Sequence, residues 1–388
     1  MKTKQEYIQE LKNVKLVIGN GFDLHCGLKT KYSDFFLNDS AKNDCLKYWI
    51  NEFKNQAKYY LSFSLWNHKS FWREFIYLDE CNIWDFFFFI VSYVNADSQK
   101  EWLWCDVEKS IENSLYHGNK TMSGDSIYNW KYVYNILNGK ANKHDDDLYI
   151  LAAVAYRKNN EESFHSIEEF YSFLLSELKK FENNFGEYIL NQYFTIHNGI
   201  KVENSFFYKK ADLLIRNLCN INNLVSIDSF NYGFLNLDIV KGKFSNINGN
   251  TSNPIFGIDS SAFSSSEPEY IFSKTNRRME LDMLNYDYYE RKEYDNVVIY
   301  GHSLTVSDYS YFFSIFDKID IINFTKKSVI VFAYSIYDPN KKEKIKADLR
   351  SAISNLFKEY SKYKGNSEYP NRLLDGLTTQ GKVLLYEV

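Results

Sequence analysis

The feature that most constrains the fold is the stretch Lys15–Phe35, in which a short apolar run is followed at once by a glycine turn. Leu16–Ile18 has the apolar character of a buried strand. The next three residues, Gly19–Gly21, allow a tight turn, and an acid, Asp23, comes just after it. Because a Rossmann-type first strand delivers nucleotide phosphates to backbone amides in this order, the stretch predicts a nucleotide site.

Five further apolar runs predict strands that join the first one in a single sheet. They are Leu224–Asp228, Pro254–Ile258, Asn296–Tyr300, Ser328–Phe332 and Lys382–Tyr386. Continuous apolar runs are typical of parallel strands that are covered on both faces. Helical patterns at Ser307–Phe316 and Lys341–Tyr360 separate some of the runs, and this alternation indicates an α/β fold.

The long middle of the chain has a different pattern. The whole sequence of 388 residues contains only 4 prolines and 16 glycines, which favours long helices, and residues 40–220 have mostly helical patterns. We therefore predict a Rossmann-like, mostly parallel sheet formed by residues 1–36 and 221–388, with nucleotide binding as its function. Residues 37–220 are predicted to form a large, mainly helical insertion.

Charge and cysteine content argue against several classes of protein. A net charge of −4 gives no basis for a general electrostatic attraction to nucleic acid. The 5 cysteines are scattered without a C-x-x-C pair, so neither a disulfide framework nor a structural metal site is predicted. The densest apolar run, Ile83–Val91, is too short to span a bilayer. We expect a cytoplasmic protein that does not bind membranes.

Polar residues follow the predicted strands at the places where α/β sheets bind ligands. Asp23 follows the first strand, Asn231 the second, and His302 follows Gly301 at the end of a later one. A histidine at a strand end is well placed for acid–base chemistry. The alternatives are structural: Asp23 as a helix cap, Asn231 as a turn residue, and His302 held by local hydrogen bonds. Since such clusters follow four apolar runs, we favour a shared site.

The chain also carries a set of short motifs that extend over most of its length. They are Ile18–Leu24 with Gly27, Leu28, Thr30 and Tyr32–Phe35, then Trp104–Glu108, Ser229–Tyr232, Phe256–Asp259, and Gly301–Leu304 with Asp308. Together these motifs resemble the AbiH family of bacterial abortive-infection proteins, which defend against phage. The resemblance implies an intracellular protein that acts in response to a phage-derived trigger, and it defines this role more firmly than a reaction.

A more distant resemblance is to the sirtuin-like fold, which binds NAD. It implies that Gly19 and Gly21 hold the NAD diphosphate, that Asn231 lies by the nicotinamide ribose, and that Gly301 and Ser303 contact the adenosine half. The full set of binding residues expected on this basis is Gly19, Asn20, Gly21, Phe22, Gly301 and Ser303. No metal is implied.

One departure from that resemblance concerns the general base. Where sirtuin-type sites and many AbiH relatives have His-Gly, this chain has Asn248-Gly249. An amide does not act as a base at neutral pH. Either His302 or Asp23 then supplies that function, or the site binds NAD without cleaving it.

Our leading interpretation is an anti-phage effector whose pocket hydrolyses NAD. Asp23 would stabilise the oxocarbenium charge, Asn231 would orient the water, and His302 would transfer protons. An alternative is a sensor that holds NAD, another nucleotide or a phage protein without turnover. A nuclease is a third alternative, which the acidic charge and the lack of a carboxylate cluster disfavour. The expected partners are a nucleotide and a phage-derived trigger, and a homo-oligomer stays open.

Overall fold

The computed structural model describes residues 2–38, 42–48, 50–51, 81–94, 105–115, 129–140, 146–160, 162–197, 200–233, 235–280, 293–323, 325–336, 338–365 and 372–388. These residues belong to two compact units. The sheet unit comprises Met1–Thr30, Gly186–Pro254 and Arg278–Val388, and the helical unit comprises Lys31–Phe185 and Ile255–Arg277. Residues 186–220, which the sequence analysis placed in the insertion, thus belong to the sheet unit.

The helices of the described residues vary widely in length. In chain order they are α1 (Lys4–Glu10), α2 (Asn20–His25), α3 (Tyr32–Asn38), α4 (Ile83–Val94), α5 (Cys105–Leu115), α6 (Trp130–Leu137), α7 (Asp146–Lys158), α8 (Ile167–Gln192), α9 (Ser205–Leu218), α10 (Lys274–Glu280), α11 (Tyr309–Lys318), α12 (Lys342–Tyr363) and α13 (Arg372–Thr379). The helices predicted near residues 307–316 and 341–360 are confirmed as α11 and α12. None of the described helices has both the length and the apolar character needed to cross a membrane.

Six strands form the main sheet. They are β1 (Val14–Ile18), β2 (Leu224–Ser229), β3 (Phe244–Asn246), β4 (Asn296–Tyr300), β5 (Ile330–Tyr334) and β6 (Val383–Glu387). Their spatial order is β6-β5-β4-β1-β2-β3, and every neighbouring pair is parallel. This is the strand order of the Rossmann-type doubly wound sheet. The chain adds strands first on one side of β1 and then on the other, so the strand order reverses between β1 and β4. The predicted α/β fold with a mostly parallel sheet is confirmed.

One predicted strand of this sheet is wrong. Within Pro254–Ile258, only Pro254 is in a strand, in the two-residue pairing of Gly249–Asn250 with Asn253–Pro254. Ile258 makes a single bridge to Ser273. The run is apolar because Ile255–Ile258 is buried in the helical unit, not because it belongs to the sheet. The edge strand is instead β3, whose polar Ser245 and Asn246 left no apolar run to detect.

Helices cover both faces of the sheet. On one face, Ile299 of β4 belongs to a buried apolar cluster that includes Phe316 of α11 and Phe357 of α12, whose rings stack 4.9 Å apart. Neighbouring residues of a strand point to opposite faces. The next residue, Tyr300, accordingly meets α2, where its ring lies 6.3 Å from that of Phe22. This double cover explains why all residues of β1 and β4 are buried.

Aromatic side chains form much of the core of the helical unit. Trp84 of α4 meets Trp130 of α6 with ring centroids 5.1 Å apart. A buried ion pair lies in the same unit: Arg277 donates through Nη2 to Oε2 of Glu182 at 2.6 Å and through Nη1 to the carbonyl of Phe256 at 2.9 Å. The Phe256 amide donates back to Glu182 Oε1 at 2.6 Å. Such a pair needs these extra bonds because burial penalises both charges.

Candidate functional site

Two backbone turns meet where the strand order of the sheet reverses. One turn joins β1 to α2, and the other follows β4. The amide of Gly19 donates to the carbonyl of Tyr300 at 2.9 Å, and the amide of Gly21 donates to the carbonyl of Gly301 at 2.8 Å. In this sheet type, ligands bind beside the carboxyl ends of the strands at this point. The two turns therefore mark the candidate site.

The glycines of these turns are needed for close packing of backbone on backbone. A Cβ on Gly19 would lie 2.7 Å from the Gly301 oxygen, and one on Gly21 would lie 2.7 Å from the Gly301 Cα. Gly301 itself has a φ of +68°, which other residues rarely adopt. The amides of Gly19 and Gly21 are already paired within the chain. Their role in holding a diphosphate stays a prediction.

Asp23 is the most perturbed acid of the site. The first turn of α2 carries it into the interior, where it is only 2% exposed. Tyr193 donates its hydroxyl to Asp23 Oδ2 at 2.8 Å, and the side chain of Asn231 also hydrogen-bonds the carboxyl group. Burial raises the pKa of Asp23 to about 7, although both hydrogen bonds act to lower it. Near neutral pH this carboxyl group can therefore gain or lose a proton.

Asn231 is fixed by the loop that follows β2. Its amide nitrogen Nδ2 donates to the carbonyl of Gly19 at 3.1 Å. The side chain of Asn246 holds the loop by donating to the carbonyls of Asn231 at 2.6 Å and Gly233 at 2.8 Å. Because Nδ2 faces acceptors, the amide has one orientation, and Oδ1 is left buried with no hydrogen-bond partner in the described part of the chain. An amide oxygen in this state has the capacity to accept a hydrogen bond.

The structure brings Asp23 and Asn231 together but turns the imidazole of His302 elsewhere. The backbone of His302 packs against Gly19, whereas its side chain, 4% exposed, lies with its ring 4.2 Å from that of Phe230. Its Nδ1 accepts the amide of Leu304 at 2.8 Å, and its Nε2 lies 3.5 Å from Asp308 Oδ2. No hydrogen bond joins His302 to Asp23 or Asn231 within the described residues. Both ring nitrogens thus have partners within its own loop.

The other predicted binding residues have mixed surroundings. Asn20 accepts a hydrogen bond from the Thr30 hydroxyl at 2.6 Å. Phe22 is fully buried, and its ring meets Tyr300 edge-on. Ser303 is exposed to solvent on the turn after β4. Of these three, only Ser303 offers an exposed polar side chain.

The sequence analysis missed one residue of the site, Tyr193, and one partner of Asn248, Arg278. Tyr193 follows α8, 170 positions from the Asp23 that it contacts, and nothing in its local sequence marks it. The only indirect sign is Gly233, where a Cβ would lie 1.8 Å from the Tyr193 hydroxyl. Arg278 donates to Asn248 Oδ1 at 2.8 Å and to the Ile247 carbonyl at 2.9 Å.

The fold and this site define the class of the protein. It is an α/β protein with a parallel sheet in Rossmann order and a buried, hydrogen-bonded carboxyl group where the order reverses. No group of three or more metal-binding side chains is found among the residues that the structure describes.

Comparison with known proteins identifies the family. The family model described as "Bacteriophage abortive infection AbiH" matches residues 16–334, and the chain therefore belongs to the AbiH family. Membership implies a role in anti-phage abortive infection. No curated protein and no solved structure matches the chain. Of the motifs that suggested this family, Trp104 lies outside the described residues.

Proposed function

We propose that this AbiH protein acts in abortive infection as a hydrolase that cleaves the nicotinamide–ribose bond of NAD beside Asp23. The observation that carries the proposal is a buried carboxyl group held by Tyr193 and Asn231, next to Asn231 Oδ1, which has no hydrogen-bond partner among the described residues. Water would replace nicotinamide at the ribose carbon, giving ADP-ribose, nicotinamide and a proton. The distant sirtuin-like resemblance assigns Asn231 to the same ribose.

The environment of Asp23 suits the charge that develops in this reaction. Cleavage gives the ribose ring oxocarbenium character, and an ionised carboxylate in a site of low dielectric stabilises a nearby cation strongly. Tyr193 would keep one carboxylate oxygen in place. Asn231 Oδ1 would accept a hydrogen bond from a ribose hydroxyl or from the attacking water. A raised pKa also lets Asp23 take the proton of that water.

Two predicted elements do not enter this proposal. His302 is left out because both of its ring nitrogens are engaged within its own loop. The amides of Gly19 and Gly21 are left out as phosphate donors because the carbonyls of Tyr300 and Gly301 accept from them. The diphosphate would then need other donors, and the exposed hydroxyl of Ser303 is one candidate.

The test is NAD turnover by the purified protein, alone and with lysate of phage-infected cells. Asp23→Asn keeps the size of the side chain but removes its charge, and we expect nicotinamide release to fall by about 100-fold or more. Tyr188→Phe is the matched control, because it removes a hydroxyl that donates to the Lys29 carbonyl at 2.8 Å and not to Asp23. Equal turnover by Asp23→Asn, or none by the wild type under either condition, contradicts the proposal.

A second candidate, a nucleotide sensor without turnover, is favoured by the surroundings of Asn248. The sirtuin-like resemblance would place a histidine at this position, and Arg278 donates to the side-chain oxygen of Asn248. In that case calorimetry would detect NAD binding that Asn231→Leu abolishes, while no nicotinamide is released. Release of nicotinamide by the wild type would exclude this candidate.

A further inference from the structure

A small β-hairpin of the sheet unit pairs with none of the strands β1–β6. Its strands, Phe194–His197 and Ile200–Glu203, form a separate antiparallel pair among the described residues. All four residues of the second strand are exposed. A two-stranded sheet is marginally stable by itself, and its outer edges present unpaired backbone groups to another chain.

The register of the hairpin shows which backbone groups face outward. Thr195 lies opposite Val202, and the amide of Asn204 donates to the carbonyl of Tyr193 at 2.9 Å. Hydrogen-bonded pairs alternate with non-bonded pairs along an antiparallel ladder. The pair of Thr195 with Val202 is therefore hydrogen-bonded inside the hairpin, whereas the backbone N–H and C=O of Lys201 and Glu203 point outward.

The outward edge complements itself in one register. When two copies meet antiparallel about a twofold axis at Val202, Lys201 of each lies opposite Glu203 of the other. Both of these pairs bring outward N–H groups opposite outward C=O groups, giving four backbone hydrogen bonds and two pairs of opposite charge. An axis at Lys201 would place two lysines opposite each other. A twofold axis between two residues would place residues whose backbone groups point outward opposite residues whose backbone groups point inward, so the backbone hydrogen bonds could not form.

We propose that the strand Ile200–Glu203 is a dimerisation edge, occupied by the same strand of a second copy of this chain. Such an interface is isologous, as in most symmetric dimers.

The charges of the edge support a second copy as its occupant. Lys201 Nζ donates to Asn191 Oδ1 at 3.0 Å, and Glu203 accepts from Asn236 Nδ2 at 2.8 Å. Within the described part of the chain, these contacts are with neutral amides, and no ion pair forms at either residue. A lysine alone would discourage pairing at a sheet edge. Lysine and glutamate two positions apart instead favour an antiparallel copy of themselves.

Apolar exposure around the edge also supports an interface. Ile200 is 66% exposed and Val202 is 43% exposed. Ile200 and Val202 are two positions apart in one strand, so their side chains share one face of the hairpin. Exposed apolar side chains that lie together are typical of protein–protein contacts.

The first test is the association state of the full chain by sedimentation velocity over a concentration series. We expect a dimer that Lys201→Glu or Glu203→Lys weakens by at least about tenfold, because each single change puts like charges opposite each other twice. The double variant with both changes restores the opposite pairs and should dimerise like the wild type. A monomeric wild type at the highest soluble concentration, or single variants that dimerise normally, would overturn the proposal.

The second test locates the interface. In the proposed register the two copies of Val202 form a non-hydrogen-bonded pair, in which Cα atoms are about 4.5 Å apart, within the range for a disulfide. Val202→Cys should therefore give a disulfide-linked dimer under mild oxidation. Leu213→Cys is the control, since it is also exposed but lies outside the strand. Cross-linking of Leu213→Cys but not of Val202→Cys would place the contact elsewhere and refute the dimerisation edge.

Discussion

The hydroxyl of Tyr193 donates to Oδ2 of Asp23 across 2.8 Å, in a contact buried from solvent. Burial and the neighbouring carboxyl group hold the pKa of Tyr193 well above its usual value. Tyr193 therefore stays a protonated donor over the whole range in which Asp23 titrates. Within this pair, Asp23 is therefore the group whose ionisation changes with pH near neutrality.

The stability of the protein should depend on the ionisation of Asp23. Burial raises its pKa from 3.8 to about 7, so the folded state keeps a proton that the unfolded chain releases. Stability should therefore fall as the pH rises from about 4 to 7 and level off above that. The difference in pKa between the folded and unfolded states corresponds to a decrease in unfolding free energy of at most about 4 kcal/mol over this pH range.

Asp23→Asn removes this titration. The unfolding free energy of the variant, measured by urea denaturation, should lose less between pH 5 and pH 8 than that of the wild type. Other titrating groups are common to both proteins and cancel in the difference. An identical pH dependence for the two proteins would show that Asp23 is ionised throughout.

Tyr193→Phe should raise the pKa of Asp23 further. The hydrogen bond from the hydroxyl favours the ionised carboxylate and so lowers the pKa of Asp23, whereas burial raises it. Without the hydroxyl, less remains to counteract the effect of burial. The ring and its edge-on contact with Phe207 are retained. The midpoint of the pH dependence, read from carboxyl NMR or from unfolding, should move above about 7. Tyr188→Phe should leave the midpoint where it is, and a shift of equal size in both variants would rule out a specific effect.

Gly301→Ala should destabilise the protein whether or not a nucleotide is bound. A Cβ there would lie 2.5 Å from the Phe22 amide nitrogen, at a φ of +68°. The strain of a left-handed backbone at a residue with a side chain, together with the overlap of its Cβ with Phe22, predicts a loss of at least about 2 kcal/mol in unfolding free energy. Gly376→Ala is the control, because it lies within α13 with no atom near its Cβ position, and it should gain up to about 1 kcal/mol. Equal stability of the two variants would refute the packing role of Gly301.

Variants of His302 test whether its side chain is needed for stability or for turnover. His302→Ala should lose about 2–4 kcal/mol, because it leaves a cavity beside Phe230 and an unpaired amide at Leu304. In His302→Asn, an oxygen replaces Nδ1 as the acceptor for that amide, so this variant should be less destabilised. Turnover per folded molecule should then equal that of the wild type. A folded His302→Asn protein that has lost turnover would restore the proton-transfer role predicted from the sequence.

The sequence was most informative where local pattern and burial agree. Apolar runs located β1, β2, β4, β5 and β6, because strands covered on both faces need apolar residues throughout. The same criterion failed for β3, which has polar residues at the edge of the sheet, and for Ile255–Ile258, which is buried outside it.

The site was predictable only in part. Asp23 and Asn231 could be placed together because both follow strands that proved to be neighbours. Tyr193 could not be found, because it reaches the site from the end of a helix 170 residues away from Asp23. The orientation of the His302 ring depends on Phe230 and Leu304, whose positions only the folded chain defines.

The central place of β1 has a consequence for synthesis. In the described part of the chain, β1 pairs with β2 and β4, which begin at Leu224 and Asn296. A ribosome adding about 5–20 residues per second needs roughly 10–40 seconds to reach the first of these partners. During that interval an apolar segment of the nascent chain has no strand to join. Newly made protein should therefore depend on chaperones that shield its first strand until the middle of the sheet has emerged.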